Sequence, residues 1–158
     1  MLSKLMAGVM AGVIAGVVFG MMMQMMTAPT PDGGSMPMIN MVAMIVGSQS
    51  AVVGWAYHLF NSAVIGGIFG LLLGGRITTY GAGLLWGALY GVVWWVLGAL
   101  ILMPLFLGMK PFAPLMMAPM RMVAMGSLMG HVIFGLILGA GVVLLSQPKG
   151  VRAAAPVR

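Results

Sequence analysis

"GWAYHLFNSAVIGGIFG", residues 54–70, lies inside an apolar run that extends from Val52 to Leu73. About 20 helical residues cross the hydrocarbon core of a bilayer, so this run is long enough to span it once. Three further apolar runs, at 5–26, 83–102 and 123–145, predict three more spans. Transmembrane β-strands are shorter and alternate apolar with polar residues, whereas these runs do not alternate. The sequence therefore predicts an all-α integral membrane protein, a four-helix bundle.

The composition of the whole chain agrees with a membrane protein. Hydrophobic residues make up 62% of the chain and charged residues only 5%, whereas a soluble domain carries about 25% charged residues. We predict a single four-span domain over residues 1–146 and a tail over 147–158. The net charge of +6 does not indicate nucleic-acid binding, because the basic residues stand singly at segment ends and form no patch. The bilayer is the predicted partner.

The charges flanking the spans predict the orientation in the membrane. The first run is too long for the apolar region of a secretory signal, and Pro29 follows Ala28 where cleavage would be expected, so we predict that it is retained. Basic residues accumulate on the cytoplasmic side of membrane proteins. If the four spans alternate, one side carries Lys4, Arg76, Lys149, Arg152 and Arg158, and the other carries Lys110 and Arg121. We therefore expect both termini and the tail in the cytoplasm.

Small residues recur at four-residue spacing along the spans. In lipid, such a stripe lets two helix backbones approach closely and is typical of helix–helix contacts. The predicted packing residues are Gly8, Gly12, Gly16, Gly20, Gly54, Ser62, Gly66, Gly70, Gly135 and Gly139. We interpret them as a glycine zipper that holds the bundle together.

The chain also has the pattern of an internal repeat. "MVAM" occurs at 41–44 and again at 122–125, and His58 and His131 stand 73 residues apart with small residues in register around them. At an offset of 75 residues, the glycines of the first span match glycines of the third span. This pattern predicts two repeated helical hairpins that run in the same sense, a parallel repeat.

The two histidines lie on the small-residue stripes. A polar side chain on such a stripe is expected to face other helices, because lipid offers it no hydrogen-bond partner. Each histidine lies six to eight residues inside the starting end of its span, which places both imidazoles at similar depth in the outer half. We therefore predict that His58 and His131 face the interior of the bundle.

Three segments together resemble a known family. They are "GWAYHLFNSAVIGGIFG", "GLLWGALYGVVWWVLGALILMP" and "MVAMGSLMGHVIFGLILGAG". The chain beyond the first span resembles an uncharacterised family of small four-span bacterial membrane proteins, a domain of unknown function. The segment after Met103-Pro104 departs from the glycine-rich turn expected there. The resemblance implies the four-span fold and a place in the bacterial cytoplasmic (inner) membrane, and it supplies no activity.

The histidines and methionines leave the question of a cofactor open. Bound cofactor is not the leading expectation, because a membrane histidine more often hydrogen-bonds across a helix interface. The first alternative is haem b held by His58 and His131, since paired histidines from two helices commonly ligate haem iron. The second alternative is Cu(I), for which thioether and imidazole are suitable ligands. Its candidate ligands are His58, His131, Met21, Met22, Met25 and Met26.

No sequence pattern indicates catalysis. The single carboxylate, Asp32, lies in a turn-like loop, "TAPTPDGGS", and no acid/base pair, nucleophile constellation or phosphate-binding loop is present. The leading prediction is a non-catalytic scaffold, accessory subunit or transporter-like bundle, as a homo-oligomer or part of a larger membrane complex. Gln24, Asn61 and the two histidines are polar groups that could line a small cavity.

Overall fold

The computed structural model of the protein describes residues 3–30 and 32–146 and is mostly helical. Its elements, in chain order, are α1 Lys4–Met25, β1 Thr27–Pro29, β2 Ser35–Pro37, α2 Met38–Met44, α3 Ala51–Leu73, α4 Tyr80–Trp94, a π-helical segment Trp95–Leu102, α5 Met103–Phe106, α6 Ala113–Met116, a 3₁₀ turn Ala118–Met120 and α7 Arg121–Ser146. The predicted tail, 147–158, lies outside the described residues.

Four helices in the described part of the chain are long and apolar enough to cross a membrane, which confirms the prediction of four such segments. The first two, α1 and α3, differ from the predicted runs by no more than one residue at either end. The third span runs from Tyr80 to Phe106 and the fourth from Ala118 to Ser146, so both extend beyond the predicted runs. The third begins early because the Thr79 hydroxyl accepts the backbone N–H of Ala82, which caps the helix before its apolar part starts.

The glycine stripe of α1 packs directly on the stripe of α3. A Cβ built on Gly8 would overlap the carbonyl oxygen of Gly66, and one built on Gly12 would overlap the carbonyl oxygen of Ser62. Gly16 in turn lies against the Ser62 side chain. The two backbones are in contact along three turns, which only residues without a side chain permit.

A second pair of helices, α4 and α7, packs in the same manner. A Cβ built on Gly87 would overlap the carbonyl oxygen of Gly135, and one built on Gly91 would overlap that of His131. Gly139 lies against the carbonyl of Gly83. All ten predicted packing residues are buried, but two of them do not meet a small residue of a facing stripe. Gly20 lies against the ring of Trp55, and Gly54 lies against the carbonyl of Ile39 in α2.

The two pairs are joined through α1 and α7. Gly141 of α7 faces Ala11 of α1, and Gly130 of α7 faces the ring of Phe19. The helices therefore stand in the order α3, α1, α7, α4, with α1 and α7 in the middle. Across the remaining gap, between α3 and the third span, the Tyr90 hydroxyl donates to the carbonyl of Ile65 at 2.8 Å.

One end of the bundle is covered by short elements that the sequence analysis did not predict. We call it the capped end, and it carries residues 26–30, 32–50 and 103–120. There β1 and β2 form an antiparallel hairpin around Asp32 and Gly33, and Gly33 adopts a positive φ of 85°. The predicted turn is therefore the tip of this hairpin. Beside it, the Asn40 amide donates to the carbonyl of Gln49 at 2.8 Å and ties α2 to the start of α3.

The third span widens into a π-helix before it reaches the capped end. Pro104 follows this segment, and a proline neither donates a backbone hydrogen bond nor tolerates the carbonyl four residues before it. That carbonyl belongs to Leu100 and accepts the backbone N–H of Phe112 instead, at 2.7 Å. The proline thus accounts for the interruption of the α-helical hydrogen bonds. The bond from Phe112 to Leu100 holds the next loop against the span.

The close packing of α1 on α3 gives a direct test. We expect Gly12→Leu or Gly66→Leu to destabilise the bundle by about 3 kcal/mol or more, because the new side chain would meet backbone that cannot rotate away. Leu71→Ile is the control, since Leu71 is 61% exposed on the same helix pair. Yield, monodispersity and reversible unfolding in detergent measure the effect. Glycine variants that behave like the control would contradict the packing account.

Candidate functional site

The bundle encloses a cavity of about 280 Å³ next to the capped end. Side chains from all four spans line it, together with residues of α2 and α5. Its wall is apolar apart from a few polar groups, which is the usual composition of a small-molecule site. Both predicted histidines, His58 and His131, lie in this wall.

His58 joins two helices. Its ring lies in α3 and is buried, and its Nε2 lies 2.9 Å from the carbonyl oxygen of Gly16 in α1. A carbonyl oxygen only accepts, so Nε2–H is the donor. The bond is possible because Gly16 has no side chain and lies against the small side chain of Ser62, which keeps the two helices close there. His58 therefore acts as a hydrogen-bonding residue between helices, as predicted for a polar residue on this stripe.

His131 bonds within its own helix. Its Nδ1 lies 2.8 Å from the carbonyl oxygen of Ser127, one turn earlier in α7, and 3.4 Å from the Ser127 hydroxyl. Since the carbonyl accepts, Nδ1 carries the proton. The bond orients the imidazole without linking α7 to another helix.

One aromatic ring contacts both histidines. Phe19 of α1 meets His58 edge-on at a centroid distance of 5.5 Å and meets His131 at 4.8 Å. The structure thus brings the two predicted site residues to the same side chain, although 73 positions separate them in the chain.

The hydrogen bonds leave one nitrogen of each imidazole without a proton. In the neutral ring these are Nδ1 of His58 and Nε2 of His131, and each holds a free lone pair. Neither nitrogen is among the enclosed, unpartnered polar atoms of the described residues, and both rings line the cavity. The cavity wall therefore offers two hydrogen-bond acceptors or metal ligands.

Asn61 adds a third polar group. It lies three residues after His58, lines the same cavity, and makes no side-chain hydrogen bond to a described residue. An amide without a partner inside an apolar bundle is costly, so it calls for water or a ligand. Gln24, by contrast, does not line the cavity: it accepts the indole N–H of Trp55 at 3.2 Å.

The methionines at the cavity differ from the predicted set. Met21 and Met25 are exposed, and Met22 and Met26 pack against the core without lining the cavity. Among the methionines of residues 21–26, Met23 is the one that lines the cavity, and it was not in the predicted ligand set. The other methionines of the wall are Met38, Met41, Met103, Met109 and Met120. Met23 stands one helical turn after Phe19, whose inward position depends on its contact with Gly130 and not on a sequence period.

Negative charge is absent from the described part of the cavity wall. The single carboxylate, Asp32, sits exposed at the tip of the hairpin, where the Thr30 hydroxyl and then the Gly34 N–H hydrogen-bond it and lower its pKa. No group of three or more His, Cys, Asp or Glu residues lies close enough to hold a metal ion among the described residues. A metal in this cavity would therefore need ligands other than carboxylates and thiolates beside the two histidines.

The different bonding of the two histidines predicts different effects of their removal. We expect His58→Ala to destabilise the bundle by about 0.5–2 kcal/mol, because it breaks the bond between α3 and α1. His131→Ala is the matched variant, since it removes the same ring contact with Phe19 and only an intrahelical bond. Unfolding free energies in detergent compare the two, and equal losses would show that the His58–Gly16 bond adds no stability.

Comparison with known proteins assigns this chain to no family. No protein-family model, curated protein or solved structure matches it. The resemblance to an uncharacterised four-span family accordingly stays a prediction.

Proposed function

We propose that this protein is a non-catalytic, four-span protein of the bacterial inner membrane that binds a small ligand in the cavity beside His58 and His131. The observation that carries the proposal is the pair of lone-pair nitrogens and the unpartnered Asn61 amide in a wall that is otherwise apolar. Apolar pockets with a few convergent polar groups are the usual form of a ligand site.

In this proposal the capped end faces outward. Lys4 and Arg76 lie at the opposite end of the bundle, and Lys110 and Arg121 lie at the capped end. The further basic residues of the sequence, at 149, 152 and 158, follow α7 and favour a cytoplasmic position for the uncapped end. Both termini then lie in the cytoplasm, and the ligand cavity lies in the outer half of the membrane.

A two-hairpin architecture is also part of the proposal. The contact of α1 with α3 uses glycines at four-residue spacing, and the contact of α4 with α7 does the same. Each contact places the histidine of the later helix beside a glycine of the earlier one, Gly16 for His58 and Gly91 for His131. These matching contacts support descent from one repeated hairpin.

The wall restricts the chemistry of the ligand. Each imidazole donates its one N–H to a backbone carbonyl and presents its other nitrogen as an acceptor, so the two rings favour a ligand that donates a hydrogen bond or carries positive charge. Haem fits less well, because an engineered cavity of about 150 Å³ is filled by benzene alone and a porphyrin is several times larger. In addition, Phe19 lies against both imidazoles. If the two histidines were axial ligands of a haem, the porphyrin ring would need that space.

Binding without catalysis fits a transporter-like bundle or an accessory subunit. In the described part of the cavity wall the Ser127 hydroxyl lies 3.4 Å from Nδ1 of His131, but that nitrogen already carries a proton and cannot act as a base for the hydroxyl, and the wall holds no pair of carboxylates. Large apolar side chains cover the outside of all four spans, which suits contact with lipid, with another copy or with a larger membrane complex.

The absence of cysteine from the sequence permits a clean test of the cavity. We expect Asn61→Cys to react with a membrane-impermeant thiol reagent added from the periplasmic side, because the cavity admits water near the outer surface. Phe60→Cys is the matched control: Phe60 is the neighbouring residue, 64% exposed on the outside of α3 and absent from the cavity wall. Thiolates form in water and not in hydrocarbon, so the control should react on the order of tenfold more slowly or not at all.

Two results would contradict the proposal. Equal reactivity of the two cysteines would mean that the cavity is no more accessible than the lipid-facing surface. Reaction of Asn61→Cys only from the cytoplasmic side would reverse the orientation of the bundle.

A further inference from the structure

We infer that the cavity is a binding site for Cu(I), held by Nδ1 of His58, Nε2 of His131 and the thioether of Met23. The inference rests on the proposed function, because it names the ligand of the same cavity. It differs from the ligand set predicted from the sequence in its methionine, which the structure places in the cavity wall.

The imidazoles are oriented as metal-binding histidines are. A histidine that ligates a metal generally donates its other N–H to a backbone carbonyl or carboxylate, which fixes the tautomer and the ring orientation. His58 does so to the carbonyl of Gly16, and His131 does so to the carbonyl of Ser127. Each ring is therefore held with its lone pair available, and both rings contact the single side chain of Phe19.

Met23 of α1 lines the same cavity as both histidines. Met23 lies one turn after Phe19 on the same face of the helix and is buried. Side chains on a helix lean toward its N-terminus, so that of Met23 extends in the direction of Phe19 and the two histidines. Imidazole and thioether together form a ligand set that selects Cu(I).

The distribution of methionine supports a soft metal rather than simple packing. Seventeen of the 20 methionines lie in residues 21–44 or 103–129, and none lies between residues 45 and 102. Methionine used only to fill gaps would serve equally well in α3 and α4, which bury glycine stripes of the same kind. The methionines instead gather at the capped end, next to the cavity.

Five methionines of the cavity wall belong to the short elements of the capped end or to the residues beside them. They are Met38, Met41, Met103, Met109 and Met120. In the proposed orientation they lie between the outer surface and the histidines. Successive thioethers of this kind provide weak, exchangeable ligands along which Cu(I) can reach the site.

The charge of the site selects a monovalent ion. All three proposed ligands are neutral, and the one carboxylate, Asp32, lies outside the cavity at the tip of the hairpin. A divalent ion would bring two uncompensated charges into an apolar wall, whereas Cu(I) brings one. The site should therefore bind Cu(I), and Ag(I) as its redox-inert analogue, in preference to Zn²⁺.

The test is an anaerobic titration of the purified full-length protein with Cu(I) in competition with a chromophoric Cu(I) chelator. We expect one Cu(I) per chain and an affinity at least tenfold lower in Met23→Leu and in His131→Ala. Leucine keeps the volume of methionine and removes the sulfur, and His131 makes no hydrogen bond to another helix, so both variants should fold. Met129→Leu is the control, since Met129 is 56% exposed and lies outside the cavity wall.

The outcomes separate the copper site from the cavity itself. Wild-type protein that removes no Cu(I) from the chelator, or variants that bind as tightly as the control, would overturn the inference. Thiol labelling of Asn61→Cys is independent of copper, so labelling without copper binding would keep the ligand cavity and reject its metal. If His131→Ala failed to fold, Met23→Leu would decide the question alone.

Discussion

The contact between glycine backbones is the interaction on which the rest of the structure depends. Where α1 meets α3, Gly8 and Gly12 lie against the backbone of α3, and Gly16 lies against the small side chain of Ser62. This approach brings the Gly16 carbonyl within reach of the His58 ring in the neighbouring helix. A larger residue at position 16 would displace Ser62 and move that carbonyl away. The orientation of one cavity histidine is thus a consequence of helix packing.

The same packing explains why the bundle has a cavity. The two middle helices, α1 and α7, present small residues to their outer neighbours and to each other, so little side-chain volume lies between these helices. Between α3 and the third span, Tyr90 forms the bridge to Ile65, and Phe69 packs on the Tyr90 ring at 5.0 Å. Nearer the capped end, the π-helical segment before Pro104 contributes Gly98 and Ala99 to the wall. Neither residue has a side chain larger than a methyl group, so the cavity stays open beside them. π-helical turns are frequent at functional sites.

Features with a regular sequence period could be predicted, and features set by single contacts could not. The apolar runs, the stripe from Gly8 to Gly20 and the inward position of His58 follow from helical spacing and from the cost of a polar group in lipid. The capped end follows from short loop contacts, such as the Asn40 amide on the Gln49 carbonyl, which have no period. The choice of Met23 over its four neighbours depends on the rotation of α1 about its axis. That rotation is fixed by Phe19 against Gly130, a contact between residues far apart in the chain.

The central claim is that backbone carbonyls hold the two imidazoles with opposite nitrogens protonated, and nitrogen NMR tests it most directly. The chain contains only two histidines, so a protein labelled with ¹⁵N-histidine gives two ring systems, and His131→Ala assigns them. The account predicts that near neutral pH His58 carries its proton on Nε2 and His131 carries its proton on Nδ1. Each remaining nitrogen should show the shift of an unprotonated imidazole nitrogen. Two rings with the same tautomer, or two fully protonated rings, would contradict the account.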